Sequence, residues 1–135
     1  MTRARGWRVL AVSALLAVAL QLYGVYRVTG PPTPPWFPEA DKVEHAVGFG
    51  LPVALVLLTL GARSGPALRR RRAVGAVTGV FAAHAVVSEL VQHLFYTGRT
   101  GDPLDVAADW AGVVLGAVVG VALLRRVQHG RVAAP

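Results

Sequence analysis

The sequence predicts an all-α integral membrane protein: a single four-helix bundle over residues 1–135, with both termini in the cytoplasm. Three observations carry that prediction. Hydrophobic residues make up 54% of the chain and charged ones only 16%, with a mean hydropathy of +0.51, greasier than an ordinary soluble domain. Four apolar stretches, each of about 20 residues, are long enough to cross a hydrocarbon core ~30 Å thick. Eleven of the fourteen basic residues fall on one side of those stretches, and all seven acidic residues fall toward the other.

The first span covers about residues 9–28 and follows a short basic segment with Arg3, Arg5 and Arg8. It is uncharged except for Arg27 near its far end, and Trp7, Tyr23 and Tyr26 suit the two interfacial belts. Ala17-Val18-Ala19 also resembles a signal-peptide cleavage site, but the apolar run continues beyond it, which favours a retained span. Residues 30–38 hold five prolines with Trp36 and Phe37, so they predict an extended connection at the interface.

The second span covers about residues 44–60, capped by Asp41 or a neighbour. Pro52 inside it predicts a kink or local break, and Asp41, His45, Gly48 and Pro52 share one helical face. The connection over residues 61–72 holds Arg63 and the run Arg69, Arg70, Arg71 and Arg72. That run is read as a topology determinant that also binds anionic head groups, each arginine contributing about 1 kcal/mol near such a surface.

The third span covers about residues 73–96 and carries a small-residue stripe at Gly75, Gly79 and Ala83. In the turn that follows, Asp102 reads as an N-cap with Pro103 at the first helical position. The fourth span covers about residues 104–124. On it Asp102, Asp105 and Asp109 continue into Gly112, Gly116 and Gly120, a small-xxx-small stripe that lets another helix approach closely and so turns the acidic row into the bundle. Arg125, Arg126 and Arg131 close the chain.

The arginine-rich connection and both termini fall on one side, which the positive-inside rule makes cytoplasmic. The net charge of +7 follows this membrane asymmetry. No aromatic interleaving accompanies the basic residues, so no nucleic-acid partner is read from them. With no cysteine, disulfides, thiol catalysis and thiolate metal sites are excluded. No phosphate-binding loop or other cofactor motif occurs, so no cofactor is expected. Membrane lipid is the partner the composition implies, and oligomeric state is left open.

Ionisable groups in a span cost roughly 2.5–3.5 kcal/mol each at its centre and are usually functional. Glu89, Gln92 and His93 share a face at the end of the third span, close to Arg99, Asp102, Asp105 and Asp109. A purely structural reading is a satisfied polar plug that fixes helix register. A second is a mixed oxygen and nitrogen metal site from Asp41, His45, Glu89, His93 and Asp105, although no motif such as H-E-x-x-H supports it and no metal ligand is assigned. A third is hydrolysis or transfer on a lipid-linked substrate, with His45, Glu89 or Asp105 as candidate catalytic groups and Arg99 binding phosphate or carboxylate. The last is recognition without chemistry. His84 lies about 140° around the third span from Glu89 and is read as a hydrogen-bonded bundle residue, with Ser88 as a partner. Gln21 is read as interhelical glue.

Three motifs in order resemble the VanZ-like family. Asp41-Lys42-x-x-His45-x-x-x-Phe49 is similar to its D-K-x-x-H signature, Glu89-x-x-Gln92 to its E-x-x-Q, and Arg99-x-x-Asp102-x-x-Asp105-x-x-x-Asp109-x-x-Gly112 to its R-x-x-D-x-x-D-x-x-x-N-x-x-G. Asp109 stands where the family usually has Asn. The resemblance implies a multi-pass protein of the bacterial cytoplasmic membrane, related to a determinant of resistance to the glycopeptide teicoplanin. Its motif positions give a candidate substrate-binding set of Asp41, Lys42, His45, Glu89, Gln92, Arg99, Asp102, Asp105 and Asp109, which the charge asymmetry separately puts on the extracytoplasmic side. A lipid-linked cell-wall precursor or the glycopeptide itself is the implied partner.

Overall fold

The computed structural model describes residues 3–27, 37–63, 67–97 and 101–132, with side chains placed over 5–27, 37–62, 71–97 and 101–127. The proline-rich connection expected over 30–38 falls mostly outside the described residues, as do Arg99 and the side chains of Arg63, Arg69, Arg70 and Arg131. The chain forms four helices: α1 (Arg3–Tyr26), α2 (Ala40–Arg63), α3 (Ala67–Phe95) and α4 (Pro103–Val132). Each is long and apolar enough to cross a membrane. Even the 24-residue helices reach about 36 Å at 1.5 Å per residue. All four begin before the apolar stretches that announced them, and α2 and α4 also run beyond their ends, because backbone hydrogen bonding continues where side chains turn polar. By contrast, α1 and α3 stop slightly short, at Tyr26 and Phe95.

The helix starts follow local chemistry. Glu39 adopts a left-handed conformation (φ 62°), and its carbonyl accepts from the amides of Lys42 (3.1 Å) and Val43 (3.3 Å) to open α2. Asp41 then sits in the first turn, where its charge complements the helix dipole. For α4 the Asp102 carboxylate accepts the Leu104 amide at 2.8 Å, and Pro103 occupies the first helical position, as its missing donor permits. The end of α1 is closed from another helix. Its Val25 carbonyl accepts from Gln92 Nε2 (3.2 Å) and its Tyr26 carbonyl from the Tyr96 hydroxyl (2.7 Å). Two carbonyls that a helix C-terminus leaves without an amide are thereby satisfied by α3 and the residue that follows it.

Helix α2 is the hub. It packs on all three others and most extensively on α4, whereas α1 meets α3 only slightly and α4 not at all among the described residues. The α2–α4 seam is backbone against backbone. Gly112 lies on the Ala46 carbonyl and Gly116 on that of Gly50, while a Cβ on Gly120 would stand 3.2 Å from the Ala54 carbonyl oxygen. Small residues let the two backbones meet, and in an apolar solvent such close packing is what holds helices together.

The other stripe behaves differently. A Cβ on Gly75 or Gly79 would meet nothing within 4 Å, because α3 turns a different row inward: Val74, Val77, Phe81, Ala85, Ser88 and Gln92. That row and α2 enclose a core of Val25, Phe49, Val53, Leu57, Ala85 and Val113. Phe49 meets Phe81 edge-on, with ring centroids 6.4 Å apart. Pro52 is fully buried, yet α2 runs through it as one helix, so the expected break does not occur. Most of the remaining surface is apolar, with Leu15, Leu20, Val80 and Phe95 each at least two-thirds exposed, as contact with lipid requires.

Candidate functional site

The polar residues of α2, α3 and α4 converge at one end of the bundle, where α1 and α3 finish and α2 and α4 begin. Arg5, Arg8, Arg71, Arg72, Arg125 and Arg126 lie exposed toward the other end. Lys42 anchors the rim of the cluster. Its ammonium donates to Asp41 Oδ2 (3.0 Å), Asp102 Oδ2 (2.8 Å) and Asp105 Oδ1 (2.6 Å), joining the first turn of α2 to the first turn of α4. The Lys42 ammonium and the Leu104 amide hold the Asp102 carboxyl below the ordinary aspartate range.

One helical turn deeper, His45 Nδ1 donates to Asp109 Oδ1 at 2.9 Å, and its Nε2 lies 3.7 Å from Asp105 Oδ2. The spacing of 42 and 45 on α2 against 105 and 109 on α4 puts these side chains in register, because the glycine seam below brings both backbones close. Asp109 is fully buried and Glu89 nearly so. Glu89 Oε2 accepts the Asp102 amide at 3.1 Å, so α3 supports the start of α4. The remaining oxygens, Glu89 Oε1 and Asp109 Oδ2, are buried without a hydrogen-bond partner. One ligand atom from each of His45, Glu89 and Asp109 lies within 4.8 Å of the others.

The structure therefore brings seven of the nine expected binding residues into one network: Asp41, Lys42, His45, Glu89, Asp102, Asp105 and Asp109. Gln92 is turned toward α1 by its bond to Val25, and Arg99 falls outside the described residues. The ligand set first considered for a metal changes. Asp41 is held at the rim by Lys42 and His93 is exposed beside the turn at Gly101, so Asp109 takes their place next to His45 and Glu89.

A second polar group lies deeper. His84 does not bond to Ser88, whose hydroxyl donates to the Ala85 carbonyl at 2.9 Å. With the Gln21 amide donating to His84 Nδ1 (3.2 Å), the ring proton sits on Nε2 and is donated to the Tyr26 hydroxyl (3.0 Å). Gln21 is interhelical glue, and its partner is the histidine.

Between α1 and α2 opens a cavity of about 310 Å³. Leu20, Gly24, Val47, Gly48, Leu51 and Pro52 give it apolar walls, and Arg27, Glu44, His45 and Gln92 stand at its polar end. Arg27 and Glu44 were not singled out from the sequence as site residues. Their signal was visible only as charge at a span boundary, which does not distinguish a binding group from an interfacial one. His45 is shared, with one side on the cavity and the other on Asp109. Comparison with protein-family models, with curated proteins and with solved structures finds no match to this chain.

Proposed function

We propose that the protein is a VanZ-like, multi-pass protein of the bacterial cytoplasmic membrane that recognises an anionic, lipid-linked envelope component from the extracytoplasmic side. Through that recognition it influences susceptibility to teicoplanin-type glycopeptides. The cavity carries this reading: an apolar groove between two spans leads to Arg27, Glu44 and His45 at one end. A lipid chain fits the walls, and a phosphate at its head meets the Arg27 guanidinium, a pairing that gains from charge-assisted hydrogen bonds. The three D-K-x-x-H, E-x-x-Q and R-x-x-D-x-x-D motifs support the family. The segregation of exposed arginines to the opposite end supports cytoplasmic termini. Lys42 takes a structural part, since an incoming anion would have to displace three carboxylates from it.

The test is a pair of measurements on wild type, Arg27→Ala and His45→Ala at matched expression. Both variants are expected to lose binding of a polyprenyl-phosphate probe in nanodiscs. They are also expected to lose the susceptibility change that the wild type confers on a host. Unchanged binding and unchanged susceptibility in both variants would remove the proposal.

An enzyme is the second reading: a hydrolase or transferase on a lipid-linked phosphate or peptide. The observation in its favour is that His45 stands on the cavity wall with Asp109 behind it, an imidazole oriented by a carboxylate as a general base requires. Turnover of labelled lipid-linked precursor by purified protein, lost in His45→Ala, is the outcome that would select it.

A further inference from the structure

The geometry points to a divalent metal site of the Zn2+ or Mn2+ type, held by His45, Glu89 and Asp109 where α2, α3 and α4 meet. The three side chains come from three helices, and one ligand atom from each lies within 4.8 Å of the other two. Ligands on opposite sides of one ion stand about 4.2 Å apart at bond lengths of ~2.1 Å, so closing on an ion takes side-chain movements of a fraction of an ångström to about one ångström.

Two further observations point to a ligand. Glu89 is 5% exposed and Asp109 0%, and each carries a buried oxygen with no hydrogen-bond partner, Oε1 and Oδ2. A carboxylate oxygen left so costs at least the desolvation of one hydrogen bond, about 1–3 kcal/mol and more when charged. The surrounding charge is also unbalanced among the described residues. Asp41, Asp102 and Asp105 share Lys42, which leaves Glu89 and Asp109 with His45 as the one basic group bonded to either. Two carboxylates with a neutral imidazole match the charge of a divalent ion, which would replace the proton that His45 now donates to Asp109.

One imidazole with two carboxylates suits Zn2+ or Mn2+ better than a soft ion, which would seek sulfur, or Ca2+, which would seek more oxygens. His45 also has a carboxylate toward each ring nitrogen, Asp109 at Nδ1 and Asp105 at Nε2. When one nitrogen binds the ion, the other retains a carboxylate to orient the ring, a support that metal-bound histidines generally have. Such an ion stands behind the wall of the α1–α2 cavity, with His45 between them. Its binding does not depend on any lipid occupying that cavity.

The experiment uses the full chain in detergent micelles, stripped with EDTA and dialysed against ZnCl2 without added lipid. About one Zn2+ per chain is expected at free Zn2+ of roughly ten micromolar, with Co2+ giving visible absorption bands of a nitrogen and oxygen site. Glu89→Gln and Asp109→Asn should each weaken binding at least ~10-fold, about 1.4 kcal/mol. Thr78→Val, which removes a hydroxyl that bonds to carbonyls of its own helix and lies outside the cluster, should leave it unchanged. Less than about a tenth of an equivalent of Zn2+ on the wild type would overturn the assignment and leave a proton-shared polar plug. So would undiminished binding in both ligand variants. The wild-type stoichiometry decides even where a variant fails to fold, and a wild type that binds metal but no lipid probe would overturn the lipid reading alone.

Discussion

Gly116 of α4 rests directly on the carbonyl of Gly50 in α2, leaving no room for a side chain between the two backbones. Gly116→Leu is therefore expected to force the helices apart and destabilise the fold by about 3 kcal/mol or more, at the upper end for overpacking. Gly79 is the control, since a Cβ there meets nothing. Gly79→Ala should be neutral or stabilise by up to ~1 kcal/mol, the gain of replacing glycine inside a helix. Thermal unfolding of the two variants in one detergent measures the difference.

Lys42 holds three carboxylates with its own side chain 20% exposed. Lys42→Met should destabilise by about 1–3 kcal/mol, between the values for surface and buried ion pairs. Part of that loss should return in Lys42→Met/Asp105→Asn, because the second change removes a charge left without its partner. A double-mutant cycle on unfolding free energy gives the coupling.

Asp102 supplies a pH signature. Its carboxyl is held below the ordinary range, first by the Lys42 hydrogen bond and then by the Leu104 amide. A group depressed in the folded state favours its ionised form there, so its contribution to stability is complete above the unfolded value, near 3.9. That contribution falls away as pH drops through the lower folded value. Asp102→Asn should keep the cap and flatten this part of the stability curve between pH 5 and pH 3. Unfolding midpoints across that interval are the check.

Tyr96→Phe removes the hydroxyl that closes the Tyr26 carbonyl. A cost of about 1 kcal/mol is expected, concentrated where α1 ends. Amide exchange should rise in the last turn of α1 and stay unchanged in the α2–α4 seam. An even rise across all four helices would show that the bond acts on the whole fold.

The helices were legible because lipid demands long uninterrupted apolar runs, and the α2–α4 seam because glycines every four residues have few other uses in a span. Asp102 as cap and Pro103 behind it were readable from residue type alone. The partners of His84 were not. Spacing along α3 suggested Ser88, but a serine in a helix satisfies itself on a nearby carbonyl, leaving the ring to Gln21 and Tyr26 on α1. Nor could the second glycine row be told from the first, since both share one period and only the third dimension decides which one meets a neighbour. Arg27 and Glu44 escaped notice for a related reason. A cavity between α1 and α2 depends on how those helices splay, and no local pattern encodes that.

The main partner of α2 is α4, which is synthesised after it with all of α3 in between. Until α4 arrives, Lys42 and His45 have no counter-charges from Asp102, Asp105 and Asp109, and the Gly50 surface has nothing to close on. A chain that stops before α4 would therefore leave the polar and glycine face of α2 without its cover.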